Sequence, residues 1–324
     1  MKNLRIVFMG TPEFAVATLD LLLMNGINVA GVVTAPDKPS GRGRKIKKSA
    51  VKKFAEDNNL PVFQPVNLKD PEFIESLKKL NADLFIVVAF RMLPEDVWKM
   101  PRLGTINLHA SLLPDYRGAA PINHAIINGE TKTGVTTFFI DEKIDTGHIL
   151  LREEVPISPD ENEGELHDKL KEHGAKLVIE TLSHLSENNL RTTPQTKLID
   201  LHEPLNPAPK IQPEDCIIDW NNECVKIHNL IRGLAPYPCA RSAFKGDSAT
   251  ISFKIYGSKP KIEKHSFKPG TIYSDGKQFI RVYCKDGFLE ITGLQLEGKN
   301  RMNVVEFLRG FRITNFTIPV NLPV

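Results

Sequence analysis

Residues Leu4–Thr34 (LRIVFMGTPEFAVATLDLLLMNGINVAGVVT) carry the pattern that decides the fold. An apolar strand at Leu4–Met9 leads into Gly10-Thr11-Pro12, and apolar residues then recur at helical spacing over Phe14–Met24. An Asn-Gly pair ends this helix, and a second apolar strand follows at Val29–Thr34. A strand, a helix and a further strand in this order are typical of a doubly wound sheet. The sequence therefore predicts an α/β domain with a parallel-rich, twisted sheet.

The rest of the chain divides at a proline-rich linker. Before it, the patterns predict helices at 49–58, 70–80, 119–128 and 165–185 and strands at 84–89, 104–108 and 134–140. Leu205–Pro209 (LNPAP) has no apolar periodicity, so the predicted domains are 1–204 and 211–324, joined by a linker at 205–210. After a short predicted helix at 224–233, short apolar runs alternate with Gly, Pro and Asp up to Ile318. This pattern predicts a small C-terminal β-barrel.

Composition excludes several classes of protein. The chain has 324 residues, of which 41% are hydrophobic and 25% charged, as in ordinary globular proteins. Its 4 cysteines show neither a Cys-x-x-Cys pair nor finger-like Cys/His spacing, so we expect reduced thiols and no metal. No apolar run approaches the ~20 residues of a membrane span, and no signal peptide is recognisable. We therefore expect a cytoplasmic protein without a membrane partner.

Positive charge is concentrated in one glycine-containing stretch. Eight Lys or Arg residues lie between Asp37 and Lys53, against one acidic residue, Asp37 itself. Clustered cations of this kind can contact a phosphate backbone, although a solvated surface would give the same pattern.

Candidate catalytic residues follow two strands. Asn107 and His109 lie two residues apart, so in an extended strand they share one face. An amide that donates to an oxyanion beside an imidazole suits acyl transfer, although both residues could be structural. Asp145 follows the 134–140 strand and could orient His109, or simply form a turn. Ser111 as the nucleophile of a Ser-His-Asp set is a further interpretation that its spacing does not support.

Three segments together resemble the active-site pattern of the formyltetrahydrofolate-dependent formyltransferase superfamily. They are Asn107–His109 (NLH), Ser111–Ile122 (SLLPDYRGAAPI) and Gly134–Gly147 (GVTTFFIDEKIDTG). Five further segments make both domains similar to the branch that acts on methionyl-tRNA. They are VFMGTPEFA, PDKPSGRGRKIKK, LPVFQP, KIQPEDCIIDW and GLAPYP.

The resemblance implies both the fold and the reaction. It implies a Rossmann-like formyltransferase domain and a C-terminal β-barrel of the oligonucleotide-binding (OB) type. It also implies transfer of a formyl group from 10-formyltetrahydrofolate, the co-substrate, to the methionine amine of initiator methionyl-tRNA by a monomer without a metal.

The resemblance also implies roles for particular residues. The implied catalytic residues are Asn107, His109 and Asp145. The implied folate-binding residues are Ser111, Leu112, Leu113, Pro114, Phe90, Arg91, Met92 and Asp141. The implied tRNA-binding residues are Arg42, Arg44, Lys45, Lys47, Lys48 and Lys210.

One departure from the family pattern lies in the segment that would line the folate pocket and affects the expected folate contacts. Where many members have Ala-Tyr-Gly, this chain has Ala89-Phe90-Arg91, which removes a hydroxyl and adds a cation. Other functions remain as alternatives: formylation of an amino sugar nucleotide or of glycinamide ribonucleotide, formyltetrahydrofolate hydrolysis, and non-catalytic RNA binding. A nicotinamide-dependent dehydrogenase is disfavoured because the Gly10 turn lacks the GxGxxG pattern.

Overall fold

The computed structural model describes residues 4–40, 45–187, 189, 191–199, 204–246, 250–313 and 316–319. The chain groups into two compact units that are not continuous in sequence. The first comprises Met1–Gly118, Thr133–Pro156 and His167–Pro207, and the second comprises Ala119–Lys132, Ile157–Leu166 and Ala208–Val324. The first unit ends and the second resumes within the linker predicted at 205–210. The assignment of 1–204 and 211–324 as separate domains stays a prediction.

The first unit contains the expected βαβ opening and a seven-stranded sheet. Up to residue 109 the elements are β1 (Arg5–Gly10), α1 (Glu13–Met24), β2 (Asn28–Val33), β3 (Lys38–Ser40), β4 (Lys45–Lys47), α2 (Ala50–Asp57), β5 (Val62–Phe63), α3 (Pro71–Lys79), β6 (Leu84–Val88), α4 (Glu95–Trp98) and β7 (Thr105–His109). The following elements are β8 (Arg117–Gly118), α5 (Pro121–Ile127), which belongs to the second unit, β9 (Lys132–Phe139), β10 (Ile149–Pro156) and α6 (Glu163–Ser186).

The sheet is parallel-rich, as the sequence predicts. Its strand order is β10-β9-β7-β6-β1-β2-β5, and β7, β6, β1, β2 and β5 pair in parallel. β9 pairs antiparallel to β7. Strands β1 and β6 are apolar almost throughout because helices cover both faces of such a sheet. The chain moves from one side of β1 to the other between β5 and β6, so the sheet has its switch point at β1 and β6.

The second unit is built on an antiparallel half-barrel. The short strand β11 (Pro207–Ala208) spans the sequence boundary between the units. The elements that follow it in the second unit are α7 (Cys224–Leu234), β12 (Ala240–Lys245), β13 (Thr250–Ile262), β14 (Ile272–Ser274), β15 (Ile280–Tyr283), β16 (Gly287–Leu296), β17 (Met302–Asn303) and α8 (Val304–Gly310). The sheet order is β12-β13-β16-β15-β14, and β17 pairs with β16. The apolar faces of α7, α8 and this sheet form one core around Trp220, Phe244 and Phe307. The predicted all-β C-terminal architecture is confirmed, with two helices packed on it.

Candidate active site

The ends of three neighbouring strands place the candidate site at the switch point of the sheet. Gly10 of β1 lies in register with Val88 of β6, and Val88 lies in register with Leu108 of β7. The carboxyl ends of β1, β6 and β7 therefore form one edge, where ligands of open α/β sheets bind. Asn107 and His109 lie at this edge because β7 ends at His109.

Asn107 and His109 share one face of β7, as predicted. Their register partners on β9 are Phe138 and Thr136. His109 is buried, with 7% of its surface exposed. The Asn107 side chain is half-buried, and its amide has no hydrogen-bond partner among the described residues. A donor that is left free at a strand end is available to a bound molecule.

The imidazole of His109 lies between a carbonyl and a carboxylate. Its Nε2 donates to the Tyr116 carbonyl oxygen at 2.8 Å, because a carbonyl can only accept. Its Nδ1 faces Asp145 Oδ2 at 3.9 Å, and the same oxygen accepts a hydrogen bond from the Gly118 backbone N–H at 3.0 Å. With Nε2 protonated, Nδ1 is the ring nitrogen that can accept a proton. The Asp145 carboxylate can then stabilise the positive charge on the ring.

The Ser111–Pro114 turn is fixed by side chains rather than by helix or strand. Thr136 Oγ1 donates to the Ser111 carbonyl at 2.6 Å and accepts from the Leu113 N–H at 3.2 Å, while Arg152 donates to the Leu113 carbonyl at 3.0 Å. Ser111 Oγ donates to the Asp115 carbonyl at 2.6 Å. Because this donation occupies the hydroxyl proton, the geometry gives no support to Ser111 as a nucleophile activated by His109.

Arg91 folds back along the chain. Its guanidinium donates to the backbone carbonyls of Val66, at 2.8 Å, and of Pro65, and it lies 5.6 Å from the centre of the Phe90 ring. Partial desolvation by these neighbours lowers the pKa of Arg91. The cation therefore joins the 89–92 segment to the 65–66 segment at this edge of the sheet.

The remaining predicted folate residues differ in exposure. Phe90 is half-buried, Met92 is 67% exposed, and Leu112 lies half-buried in the fixed turn. Asp141 is exposed, and its Oδ1 accepts from the Lys143 N–H and from Thr146 Oγ1 at 3.0 and 2.7 Å. Asp141 thus organises the loop that carries Asp145. The folate-binding roles stay predictions.

Lysines dominate the hairpin formed by β3 and β4. Lys38 and Lys47 lie opposite each other, which is destabilising without a nearby anion. Lys48 instead pairs with Glu56 at 2.7 Å, and this hydrogen bond raises the pKa of Lys48. Arg42 and Arg44 lie outside the described residues, and so does the side chain of Lys45. Lys210, in the second unit, is exposed.

The base of this hairpin is held by a half-buried ionic cluster. Lys52 Nζ donates to Asp37 Oδ2 and to Gln64 Oε1, both at 2.6 Å. Gln64 donates in turn to Asp37 Oδ1 at 2.9 Å, and these hydrogen bonds lower the pKa of Asp37. Of the cations between Asp37 and Lys53, Lys48 and Lys52 are therefore engaged with acidic groups of the chain.

Sequence reasoning missed the groups that hold the His109–Asp145 pair. Two are backbone atoms, the Tyr116 carbonyl and the Gly118 N–H, which no residue pattern marks. The third is Gln195, whose side chain joins Arg117 to the Asp145–Gly147 loop. It lies 50 residues from Asp145, and a single glutamine has no signature in a sequence.

Two of the four cysteines meet a carboxylate in the second unit. The Sγ atoms of Cys224 and Cys284 are 2.7 Å apart, and with an oxygen of Asp286 they lie within 4.8 Å of one another. Asp286 Oδ1 already accepts the Cys224 N–H at 2.7 Å. Burial raises the pKa of both thiols, which favours the protonated form over the thiolate that a metal needs. The expectation of no metal stays a prediction.

Comparison with known proteins gives matches in both parts of the chain. Residues 4–182 match the family model "Formyl transferase", and residues 210–312 match "Formyl transferase, C-terminal domain". The methionyl-tRNA formyltransferase of Flavobacterium johnsoniae is 55% identical over 315 residues, covering 97% of this chain and 98% of that protein. The methionyl-tRNA formyltransferase of Bacteroides fragilis is 52% identical over 314 residues, covering 97% of each chain.

Solved structures show the same fold at low sequence identity. The sugar 3N-formyl transferase WlaRD, crystallised with dTDP and 5-N-formyl-THF, is 20% identical, with a TM-score of 0.63 over 92% of this chain and 99% of that one. HypX from Aquifex aeolicus in complex with tetrahydrofolic acid is 18% identical, with a TM-score of 0.62 over 97% of this chain and 50% of that one. Among the described residues, no helix has the length and apolar character needed to cross a membrane.

Proposed function

Because the chain belongs to the methionyl-tRNA formyltransferase family, we propose that it formylates the methionine α-amine of initiator methionyl-tRNA with 10-formyltetrahydrofolate as the donor. Similarity to relatives of that name runs the length of both units, and this observation carries the proposal. The sugar formyltransferase structures share only the fold at their level of identity, so they do not favour an amino sugar as acceptor.

The residues at the edge of the sheet suit a formyl carbonyl. 10-Formyltetrahydrofolate supplies an electrophilic formyl carbon when it is bound. The free Asn107 amide is a neutral donor that can bind the carbonyl oxygen as negative charge develops on it. Ser111–Pro114 and Phe90–Met92 flank Asn107 in the chain and would hold the donor, with Asp141 at the loop beyond β9.

His109 is the group placed to take the proton that the amine loses. Its Nε2 proton is held by the Tyr116 carbonyl, so Nδ1 is the accepting atom. Asp145, 3.9 Å away, stabilises the imidazolium that results. Asp145 is itself oriented by the Gly118 N–H, which keeps Oδ2 directed toward the ring. No covalent enzyme intermediate is required.

The lysines of the β3–β4 hairpin supply a site for the tRNA backbone. Lys38 and Lys47 repel each other across the hairpin, and a phosphate between them would relieve this repulsion. We place the tRNA contacts at Lys38 and Lys47 and at Arg42, Arg44 and Lys45. Lys48 is the weakest of the predicted contacts because Glu56 already neutralises it. Lys210 is a separate contact from the second unit.

Formyl transfer to initiator and elongator methionyl-tRNA tests the proposal directly. We expect the wild-type chain to formylate the initiator and discriminate against the elongator. Asn107→Ala should lower kcat by about 10²–10³-fold, the usual cost of removing one oxyanion donor. Asn58→Ala, an exposed asparagine at the end of α2, is the matched control and should keep full activity.

Absence of formyl transfer to either tRNA by folded wild-type protein would overturn the proposal. Amino sugar nucleotides assayed with the same donor would then show whether the acceptor is a sugar amine. Retention of full activity by Asn107→Ala would leave the acceptor assignment intact and remove Asn107 from the catalytic set.

A further inference from the structure

We propose that Gln195 is a positioning residue that holds His109 and Asp145 in their reactive arrangement. This inference rests on the proposed formyl transfer, in which that pair takes the proton of the amine. Gln195 lies in the short 3₁₀ helix Gln195–Lys197 that follows α6, and only 2% of its surface is exposed.

The Gln195 amide uses all of its hydrogen-bonding capacity. Its Nε2 donates to the backbone carbonyls of Asp145, at 2.9 Å, and Gly147, at 2.8 Å. Its Oε1 accepts from Arg117 Nε at 3.0 Å and from a terminal guanidinium nitrogen at 2.5 Å. Two donors and two lone pairs are all that an amide offers. A buried side chain satisfied in this way has one stable orientation.

These contacts close a ring around the catalytic pair. Residues 116–118 form one arm: the Tyr116 carbonyl holds His109 Nε2, and the Gly118 N–H holds Asp145 Oδ2. The Asp145–Gly147 loop forms the other arm. Gln195 joins the two arms, because it binds the side chain of Arg117 on one side and the loop carbonyls on the other. Loss of its amide removes the connection between the two arms.

The Asp145–Gly147 loop has a strained backbone that needs the hydrogen bonds from Gln195 to keep its conformation. Asp145 has φ 55°, a left-handed conformation that is uncommon for a residue with a side chain. Gly147 passes so close to β9 that a Cβ on it would lie 1.7 Å from the Phe139 carbonyl oxygen. Strained backbone of this kind persists where the surroundings over-determine it. The two hydrogen bonds from Gln195 attach to the carbonyls on either side of Thr146.

Three substitutions separate the hydrogen bonds from packing. Gln195→Glu keeps the shape and the acceptor for Arg117 but cannot donate to the two loop carbonyls. Gln195→Met keeps the approximate volume and loses both functions, and Gln195→Ala also leaves a cavity. Thr196→Ala, at the exposed neighbouring position of the same 3₁₀ helix, is the matched control.

Steady-state kinetics with 10-formyltetrahydrofolate and initiator methionyl-tRNA provide the first readout. We expect all three Gln195 variants to lose about 10- to 100-fold in kcat, as small misplacements of catalytic groups do, with KM for both substrates unchanged. Thr196→Ala should match wild type. Full kcat in Gln195→Glu would overturn the proposal, since that carboxylate cannot donate to either loop carbonyl. A rise in KM with kcat unchanged would likewise overturn the proposal, because it would assign Gln195 to substrate binding.

A second readout does not depend on activity. In protein labelled with ¹⁵N-histidine, with His109→Gln used for assignment, the Nε2 proton held by Tyr116 should exchange slowly in wild type and in Thr196→Ala. It should exchange rapidly in the folded Gln195 variants. Unchanged exchange in Gln195→Glu would contradict the positioning role. If no variant and no wild-type protein formylates methionyl-tRNA, the proposed function fails, and this measurement still decides the role of Gln195.

Discussion

His228 is a buried histidine whose surroundings oppose its protonation. It lies on α7 with 6% of its surface exposed, and its Nδ1 is 3.1 Å from Ser258 Oγ. Burial, and then the nearby Arg232 guanidinium, lower the pKa of His228 below its ordinary value, although Asp160 acts in the opposite direction. The unfolded chain therefore binds a proton more readily than the folded unit at this position.

The stability of the second unit should consequently fall in mild acid. His228 contributes stability that is present above the unfolded-state pKa of 6.5 and is lost as the pH falls toward the lower folded value. We expect His228→Gln to lose less unfolding free energy than its parent between about pH 7.5 and 5.5. Urea unfolding followed through Trp220, in a Trp98→Phe background, measures this. His184→Gln, at a half-exposed position of α6 in the first unit, is the control, and an unchanged slope in His228→Gln would contradict the assignment.

At the scale of single residues, the sequence identifies side chains with reactive groups, but it does not identify the groups that hold those side chains in place. Asn107, His109 and Asp145 are candidates because amide, imidazole and carboxylate have distinctive chemistry and lie at or after strand ends, and the family resemblance gives them catalytic roles that stay predictions. The structure places His109 Nδ1 3.9 Å from Asp145. The backbone groups of Tyr116 and Gly118 could not be predicted, because every residue carries the same ones. Arg91 shows the same limit: its residue type is visible, but its carbonyl partners at 65–66 depend on the fold.

Helices α5 and α7 pack closely because of one glycine. A Cβ on Gly233 would lie 2.7 Å from Ile127 Cγ1 and 3.2 Å from the Asn123 carbonyl oxygen. Asn123 Nδ2 also donates to the Gly233 carbonyl at 2.8 Å. The two helices therefore approach to a distance that no larger residue at 233 allows.

Substituting this glycine should separate the helices. We expect Gly233→Ala to destabilise the second unit by about 1–3 kcal/mol, as overpacking does. Gly310→Ala is the matched control, since Gly310 also lies in the last turn of a helix but has no atom within 4 Å of an added Cβ. Its effect should lie between no change and a gain of about 1 kcal/mol from helix propensity. Urea unfolding measures the unfolding free energy of both variants. Equal values would contradict the prediction, because they would show that α5 and α7 can move apart without loss of stability.

Elements with strong periodicity were predictable, and short ones were not. The β3–β4 hairpin is hidden by its cations and glycines, which read as loop. Helix α8 lies where only strands were expected, yet Asn303 and Glu306 form a capping box that the sequence displays as Asn-x-x-Glu. The spacing of these two residues was the available signal. In strand β10, charged and apolar residues alternate only weakly, so the sequence does not mark this segment as a strand. Its pairing with β9 sets its extended conformation.

Over the whole molecule, the thiols are confined to one unit. Cys216, Cys224, Cys239 and Cys284 all lie in the second unit with at most 1% of their surface exposed. Burial raises the pKa of each thiol. Reaction with a thiol reagent requires both access and a thiolate, so it requires the second unit to open.

Thiol labelling should therefore report the opening of this unit alone. We expect an aromatic disulfide reagent to label the native protein slowly and with a rate that rises steeply in urea. Ser158→Cys, at an exposed position of the same unit, should add one rapidly labelled thiol. Rapid labelling of any native cysteine at neutral pH would contradict the buried arrangement.

The interleaving of the two units has a consequence for synthesis on the ribosome. Helix α5 ends at Ile127, and its partner α7 begins at Cys224, so 224 − 127 = 97 positions separate them. At ~5–20 residues per second, the nascent helix waits about 5–20 s for that partner. During this interval Ile127, which packs against the core that α7 helps to form in the folded protein, has no α7 to cover it. Chains stalled before α7 would therefore present an apolar helix to chaperones, even where the first half of the sheet is already formed.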